Sequence, residues 1–260
     1  MTVILIILGL IFFAFSLRFT WWWCPLQKGF TVFMYHNIRP DSERTPDESI
    51  AFSVTPEAFE KQVKYLLSKG YTFIGLEEME NSFQKQVKFP PKPVMITFDD
   101  GYLNNYKYVF PILKKYNIKA VIFLIAAQIG TNPNLMTWEQ VLEMQKSGLV
   151  SFGSHGLNHK NIRRTEEALA LQELKESKTI LEEKLGHEVT SFCYPFGAGG
   201  TDKRVRALVF KSGYLFDFST RRGLNPWPLK HGRTIYRAFP RGGETKLDFI
   251  LQTNLGRSKL

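Results

Sequence analysis

Cysteine is scarce in this chain: Cys24 and Cys193 are the only two among 260 residues. They make no zinc-type spacing, and a disulfide between them would tie the segment beside the apolar N-terminus to a distant strand-like run. So few thiols assign neither an oxidising nor a reducing compartment. Long Lys/Arg runs and helical basic stripes are also missing. The formal net charge of +10 therefore points to an anionic membrane surface or polymer rather than a nucleic-acid partner. No composition break or linker divides the residues after the N-terminal segment, so one domain is expected there.

The N-terminus lacks a basic leader and a small-x-small cleavage site, as well as small lipobox residues before Cys24. Its apolar run, Val3 to Leu17, falls short of the roughly 20 residues of a spanning helix. Trp21, Trp22 and Trp23 extend it into the aromatic belt of a headgroup boundary. We expect residues 1–24 to be an uncleaved transmembrane anchor rather than a removed signal. Residues 25–260 then form a catalytic domain on the extracytoplasmic side, secreted if the segment is cleaved.

What is abundant is core-forming material, with 44% apolar residues, 22 Phe and 10 Tyr. Strand-like runs at Gly29–His36, Tyr71–Ile74, Val94–Phe98, Lys119–Ile125, Val150–His155, Ser191–Pro195 and Tyr214–Phe216 alternate with helical patterns. The helices are expected from Thr55 to Gly70, Leu76 to Phe83, Tyr106 to Tyr116, Thr137 to Gly148, Thr165 to Leu185 and Lys203 to Ser212. Thr55-Pro56 reads as an N-cap followed by proline at the first helical position, and Thr137 to Gln140 as a capping box. Arg39 to Ser49 is polar and reads as a surface loop. Alternation of this kind predicts a parallel α/β architecture, an open sheet or a barrel, in which functional groups gather at the C-terminal ends of strands.

Four polar features stand at such ends. They are His36, the pair Asp99-Asp100, the pair His155 and His159, and the turn Tyr194-Pro195-Phe196-Gly197. Adjacent carboxylates at a buried strand end repel unless a cation lies between them, although Asp-Gly is also ordinary turn chemistry. Two imidazoles four residues apart can face one ion, or can be two surface histidines. Together, two His and one carboxylate describe a metal site with open positions, leaving the second Asp as a base.

Thr97-Phe98-Asp99-Asp100-Gly101-Tyr102 and Ser154-His155-Gly156-Leu157-Asn158-His159 resemble two motifs of the polysaccharide deacetylase family, also called the NodB-homology or carbohydrate esterase family 4 domain. Phe192 to Gly197 resembles a third. Met34-Tyr35-His36, the Tyr-Pro-Phe-Gly turn and Gly213-Tyr214 bring it closest to the branch acting on poly-N-acetylglucosamine. The resemblance implies a single distorted (β/α) barrel and hydrolysis of N-acetyl groups from a GlcNAc-containing polysaccharide, poly-β-1,6-N-acetylglucosamine being favoured. Peptidoglycan or chitin-like oligomers are the alternative substrates, and a catalytically weak carbohydrate-binding module the alternative class.

Carried over by position, Asp99 is the general base, and Asp100, His155 and His159 are the ligands of a divalent metal. Zinc is the expected ion, with cobalt, nickel or iron as alternatives. The resemblance further implies that the backbone N–H of Phe196 faces the oxyanion. The catalytic domain is expected to be monomeric.

Two positions depart from the family pattern. Cys193 stands where an Arg often orients the base, so either another group, such as Arg237 or Arg241, reaches Asp99, or the base is less well held. A late Leu-x-His is missing, and His36 takes the role of general acid in a permuted motif order, imidazole being suited to proton transfer near neutrality. His231 and His187 are lesser candidates. Asp217 is left out of the site.

Overall fold

The computed structural model describes residues 4–7, 9–10, 12–13, 29–44, 49–229 and 232–257. Cys24, Trp21 to Trp23 and His231 lie outside them, as does most of the expected anchor. Among the described residues no helix is long and apolar enough to cross a membrane.

The chain alternates β1 (Thr31–Tyr35), β2 (Asn37–Ile38), β3 (Ser53–Val54), α1 (Pro56–Ser68), β4 (Thr72–Phe73), α2 (Leu76–Lys85), β5 (Pro93–Phe98) and α3 (Phe110–Tyr116). It continues through β6 (Ala120–Leu124), α4 (Trp138–Lys146), β7 (Val150–Ser154), α5 (Glu167–Leu185), β8 (Ser191–Cys193), α6 (Lys203–Lys211), β9 (Phe216–Phe218) and α7 (Lys246–Leu255). Local chemistry sets the boundaries. Thr55 Oγ1 accepts the Ala58 N–H at 3.2 Å to start α1, and Thr137 and Gln140 form the capping box of α4. Before α3 the chain takes a wide turn of π-helix over Asn105–Val109, so the regular helix begins later than Tyr106.

Seven strands form one parallel sheet in the order β1-β5-β6-β7-β8-β9, with β4 also beside β5. The sheet curls, and an extended segment absent from the sequence reading closes the gap between its edges. Ile235 bridges Phe218 of β9 and Ala238 bridges Phe33 of β1, both in parallel sense. The Ile235 N–H donates to Asp217 O at 2.8 Å, and the Ala238 N–H to Val32 O at 2.8 Å. A distorted barrel results.

Side-chain alternation then sorts the residues. On β5, Val94, Ile96 and Phe98 face outward into the helix-covered core, whereas Met95 packs inward with Val32, Val121, Phe123, Cys193 and Phe218. Gly153 on β7 is needed because a Cβ there would lie 2.6 Å from the Phe123 ring. The last strand differs from expectation. Tyr214 hydrogen-bonds Ser177 Oγ and the Leu174 carbonyl and anchors a turn, so β9 begins at Phe216. Helix α7 and the short pair β2-β3 are also additions to the sequence reading.

Candidate active site

The inward register of β5 carries Asp99, the first residue beyond the strand, into the barrel mouth, where it is 2% exposed. A carboxylate in that position needs a partner. Arg237, fully buried on the closing segment, supplies it. Its Nη1 donates to Asp99 Oδ1 at 2.6 Å and its Nη2 to Oδ2 at 2.8 Å. The guanidinium is held by three further acceptors: Ser219 O from Nε at 3.0 Å, Thr97 Oγ1 from Nη1 at 3.0 Å, and Cys193 Sγ from Nη2 at 3.0 Å. Burial alone would raise the Asp99 pKa, but the adjacent Arg237 cation outweighs it and holds the carboxyl well below the usual range. Arg241 instead lies exposed over the Phe239 ring.

Asp100 leaves the strand alternation. Its φ of 73° turns the chain away, so the neighbouring carboxylates point to different places. Asp100 Oδ1 lies 3.4 Å from His155 Nε2 and 3.3 Å from His159 Nε2. His155 follows β7, and its Nδ1 donates to the Cys193 carbonyl at 2.9 Å, which leaves Nε2 unprotonated and aimed at Asp100. Burial lowers the His155 pKa to about 3 and also lowers that of His159, so both rings are neutral near pH 7. The loop between them is not helical; His159 has φ 61°. Glu173 on α5 holds the loop by accepting from the Asn158 N–H at 2.5 Å and from its Nδ2 at 3.2 Å.

Asp100 Oδ1 and the two imidazole Nε2 atoms converge, and the buried Asp100 Oδ1 has no hydrogen-bond partner among the described residues. Burial pushes the Asp100 pKa up to about 6. One carboxylate and two neutral imidazoles with an orphaned oxygen between them fit a divalent cation with open positions. A second cluster, Asp99, His155 and Cys193, is equally compact. It suits an ion less well, because the Arg237 cation already neutralises Asp99 and lies 3.0 Å from Cys193 Sγ, and burial raises the Cys193 pKa, keeping the thiol protonated.

His36, between β1 and β2, faces Asp99 across the mouth, Nε2 to Oδ2 3.9 Å. Phe196 sits in a left-handed turn, φ 59°, with its ring 67% exposed and 4.5 Å from the His159 ring. His187 lies far from the group. It is exposed at the opposite end of the barrel, beside Lys119 and Val150 where strands begin. Asp217 points outside the barrel, accepting from Tyr194 OH and from Arg206 Nε, each at 2.8 Å. Thr97 stands in the sequence reading only as the first residue of the Thr97 to Tyr102 motif, without a role of its own, and Glu173 is not singled out there. Nothing marks Glu173 among the charges of a long helix, whereas the apolar flanks of Arg237 (Ile235, Ala238) are those of a strand.

A polysaccharide deacetylase family model matches residues 86–216, which contain Asp99, Asp100, His155, His159 and the Tyr194 turn. The chain belongs to the polysaccharide deacetylase family. A poly-β-1,6-N-acetyl-D-glucosamine N-deacetylase of Staphylococcus aureus (strain MRSA252) is 31% identical over 180 residues, 65% of this chain and 61% of the relative. The chain thus spans less than two thirds of that relative's length, and 64% of a Bacillus subtilis (strain 168) relative. Among solved structures, IcaB from Ammonifex degensii superposes with a TM-score of 0.70 at 27% identity, covering 85% of this chain and 94% of that one. The Streptococcus pyogenes deacetylase PplD, in complex with acetate, has a TM-score of 0.77 at 24% identity and covers 88% and 99%. At that identity it shows the shared barrel.

Proposed function

We propose that this family member is a metal-dependent hydrolase that removes N-acetyl groups from a GlcNAc-containing polysaccharide, with poly-β-1,6-N-acetylglucosamine as the favoured polymer. The observation that carries the reading is the division of Asp99 and Asp100: one carboxylate locked by Arg237, the other facing two neutral imidazoles. The name of the S. aureus relative supports the choice of polymer.

Asp100, His155 and His159 are the proposed ligands, with zinc the expected ion. A divalent cation held there supplies Lewis acidity, polarising the acetamide carbonyl and acidifying water. Asp99 serves as general base. Its low pKa keeps it ionised, and the two Arg237 hydrogen bonds fix its plane, so it accepts a proton without reorienting. Charge developing on the carbonyl oxygen is met by the backbone N–H of Phe196. His36, across the mouth from Asp99, donates a proton to the departing amine. Cys193 in place of an Arg does not favour a catalytically weak sugar-binding module, because Arg237 holds Asp99 instead.

Residues 1–24 are proposed as a membrane anchor presenting the domain outside the cell, on the strength of the Val3 to Leu17 run and the three tryptophans. Carbonate-resistant sedimentation of the full chain tests this. The function is tested by acetate release from poly-β-1,6-GlcNAc, chitin oligomers and peptidoglycan, with chelator and with added zinc, cobalt, nickel or iron. Metal-dependent release, fastest from the first polymer, is expected. No release from any of the three would refute the reading.

A further inference from the structure

Beside the metal-facing group the surface opens into a cavity of about 550 Å³, lined by His36, Asn37, Arg39, Phe52, Tyr102 and Asn104 among others. This falls within the ~300–1,000 Å³ typical of ligand pockets. Phe52 is the unusual member. It is 44% exposed although aromatic, and the chain places it there by two devices. Asn37 of β2 pairs with Ser53 of β3, so the residues just before them, His36 and Phe52, stand side by side. Their ring centroids are 5.0 Å apart, and Phe239 on the closing segment adds a third ring, 5.2 Å from Phe52. Behind the loop, Gly242 lets the chain approach closely: a Cβ there would lie 2.2 Å from the carbonyl oxygens of both Ile50 and Ser53.

Phe52 is therefore held firmly by one part of its ring while the rest stays bare, next to the proposed acid and at the cavity wall. An exposed aromatic in a cleft with polar walls has the chemistry to stack on a pyranose ring, whose axial C–H groups form an apolar face and whose hydroxyl and acetamide groups ring its edge. Arg39, Asn104 and the mostly buried Asn37 make the neighbouring wall polar, the two amides being joined by a hydrogen bond from Asn104 Nδ2 to Asn37 Oδ1 at 2.7 Å.

We infer that this cavity is a subsite for a neighbouring sugar residue of the polymer, with the Phe52 ring as its stacking platform. The identity of the ligand rests on the deacetylase reading; the geometry of the platform does not. A chain that reaches the subsite while one acetamide sits at the metal-facing group must extend beyond a single residue. Oligomers therefore bind better than monomers, and Phe52 accounts for part of the gain.

The test is calorimetric binding of β-1,6-linked GlcNAc monomer and pentamer to the full-length, zinc-loaded Asp99→Asn chain. Binding is thus read apart from turnover, and acetate release by the parent chain independently reports on the deacetylase reading. Adding Phe52→Ala is expected to raise the pentamer Kd roughly tenfold and to shrink the pentamer-to-monomer ratio by about the same factor. Phe52→Trp should restore the ratio, whereas Phe52→Leu, which keeps an apolar contact to His36 without a flat face, should not. Overturning results are a pentamer that binds no better than the monomer, or a ratio that Phe52→Ala leaves intact.

Discussion

Arg237 grips Asp99 with two parallel hydrogen bonds, 2.6 and 2.8 Å long, across 138 residues of sequence. Both groups are buried, and the guanidinium comes from the segment that closes the barrel. Closure of the fold and orientation of the proposed base are thus one structural event.

Removing Arg237 leaves the Asp99 charge buried without a partner. Arg237→Ala should cost roughly 3–5 kcal/mol in urea unfolding. Activity depends on ionised Asp99 and is lost as pH falls through its pKa. With the cation gone that pKa rises, so the acid limb of the pH–rate profile should move to higher pH. Arg237→Lys, which cannot form the paired bonds, should fall between the two. An unmoved acid limb in a folded Ala variant would contradict the role given to Arg237.

Cys193 Sγ lies 3.0 Å from Arg237 Nη2, so the space of a second guanidinium is already filled. Cys193→Arg should be destabilised by overpacking, by ~1–3 kcal/mol, with like-charge repulsion added. The double variant Cys193→Arg/Arg237→Ala should recover part of that loss, because a single cation then faces Asp99. Denaturant midpoints of the four proteins form the cycle, and strict additivity would argue against this exchange.

Asp100 and the two histidines should fail differently from the Arg237 pair. His155→Ala and His159→Ala should each purify with substoichiometric metal by elemental analysis while remaining folded. Stoichiometric metal in either variant would remove that residue from the ligand set.

The metal-free protein offers a pH test. Burial raises the Asp100 pKa from 3.8 to about 6. The folded apoprotein therefore favours the neutral carboxyl; that contribution is complete below about pH 4 and lost as pH rises through 6. The rise corresponds to roughly 3 kcal/mol. Asp100→Asn does not titrate, so in chelator its stability relative to the parent should improve between pH 4 and pH 7 by up to about that amount. A difference constant with pH would mean that Asp100 is not strained by burial.

How much of this was legible in the sequence follows from the range of each signal. Caps and strand runs are local, so the α1 and α4 starts and most strands could be read directly. The Asp pair follows β5 and the His pair follows β7, with β6 between them, and parallel alternation puts both at the same end of the sheet. Arg237 could be named only as one of two arginines, because choosing it over Arg241 requires knowing that Ile235 and Ala238 bridge opposite sheet edges. The placement of Phe52 depends on a two-residue strand pair too short to leave a periodic trace. Residues 1–24 show the opposite case, a sequence pattern with clear chemistry that lies mostly outside the described residues.

The central claim is that adjacent carboxylates do different work. It is tested most directly by measuring bound metal and acetate release on the same samples of Asp99→Asn and Asp100→Asn, with poly-β-1,6-GlcNAc as substrate. Asp99→Asn should retain stoichiometric metal and release no acetate above background, whereas Asp100→Asn should lose both. Turnover near the parent rate in metal-loaded Asp99→Asn, or full metal occupancy in Asp100→Asn, would contradict the account.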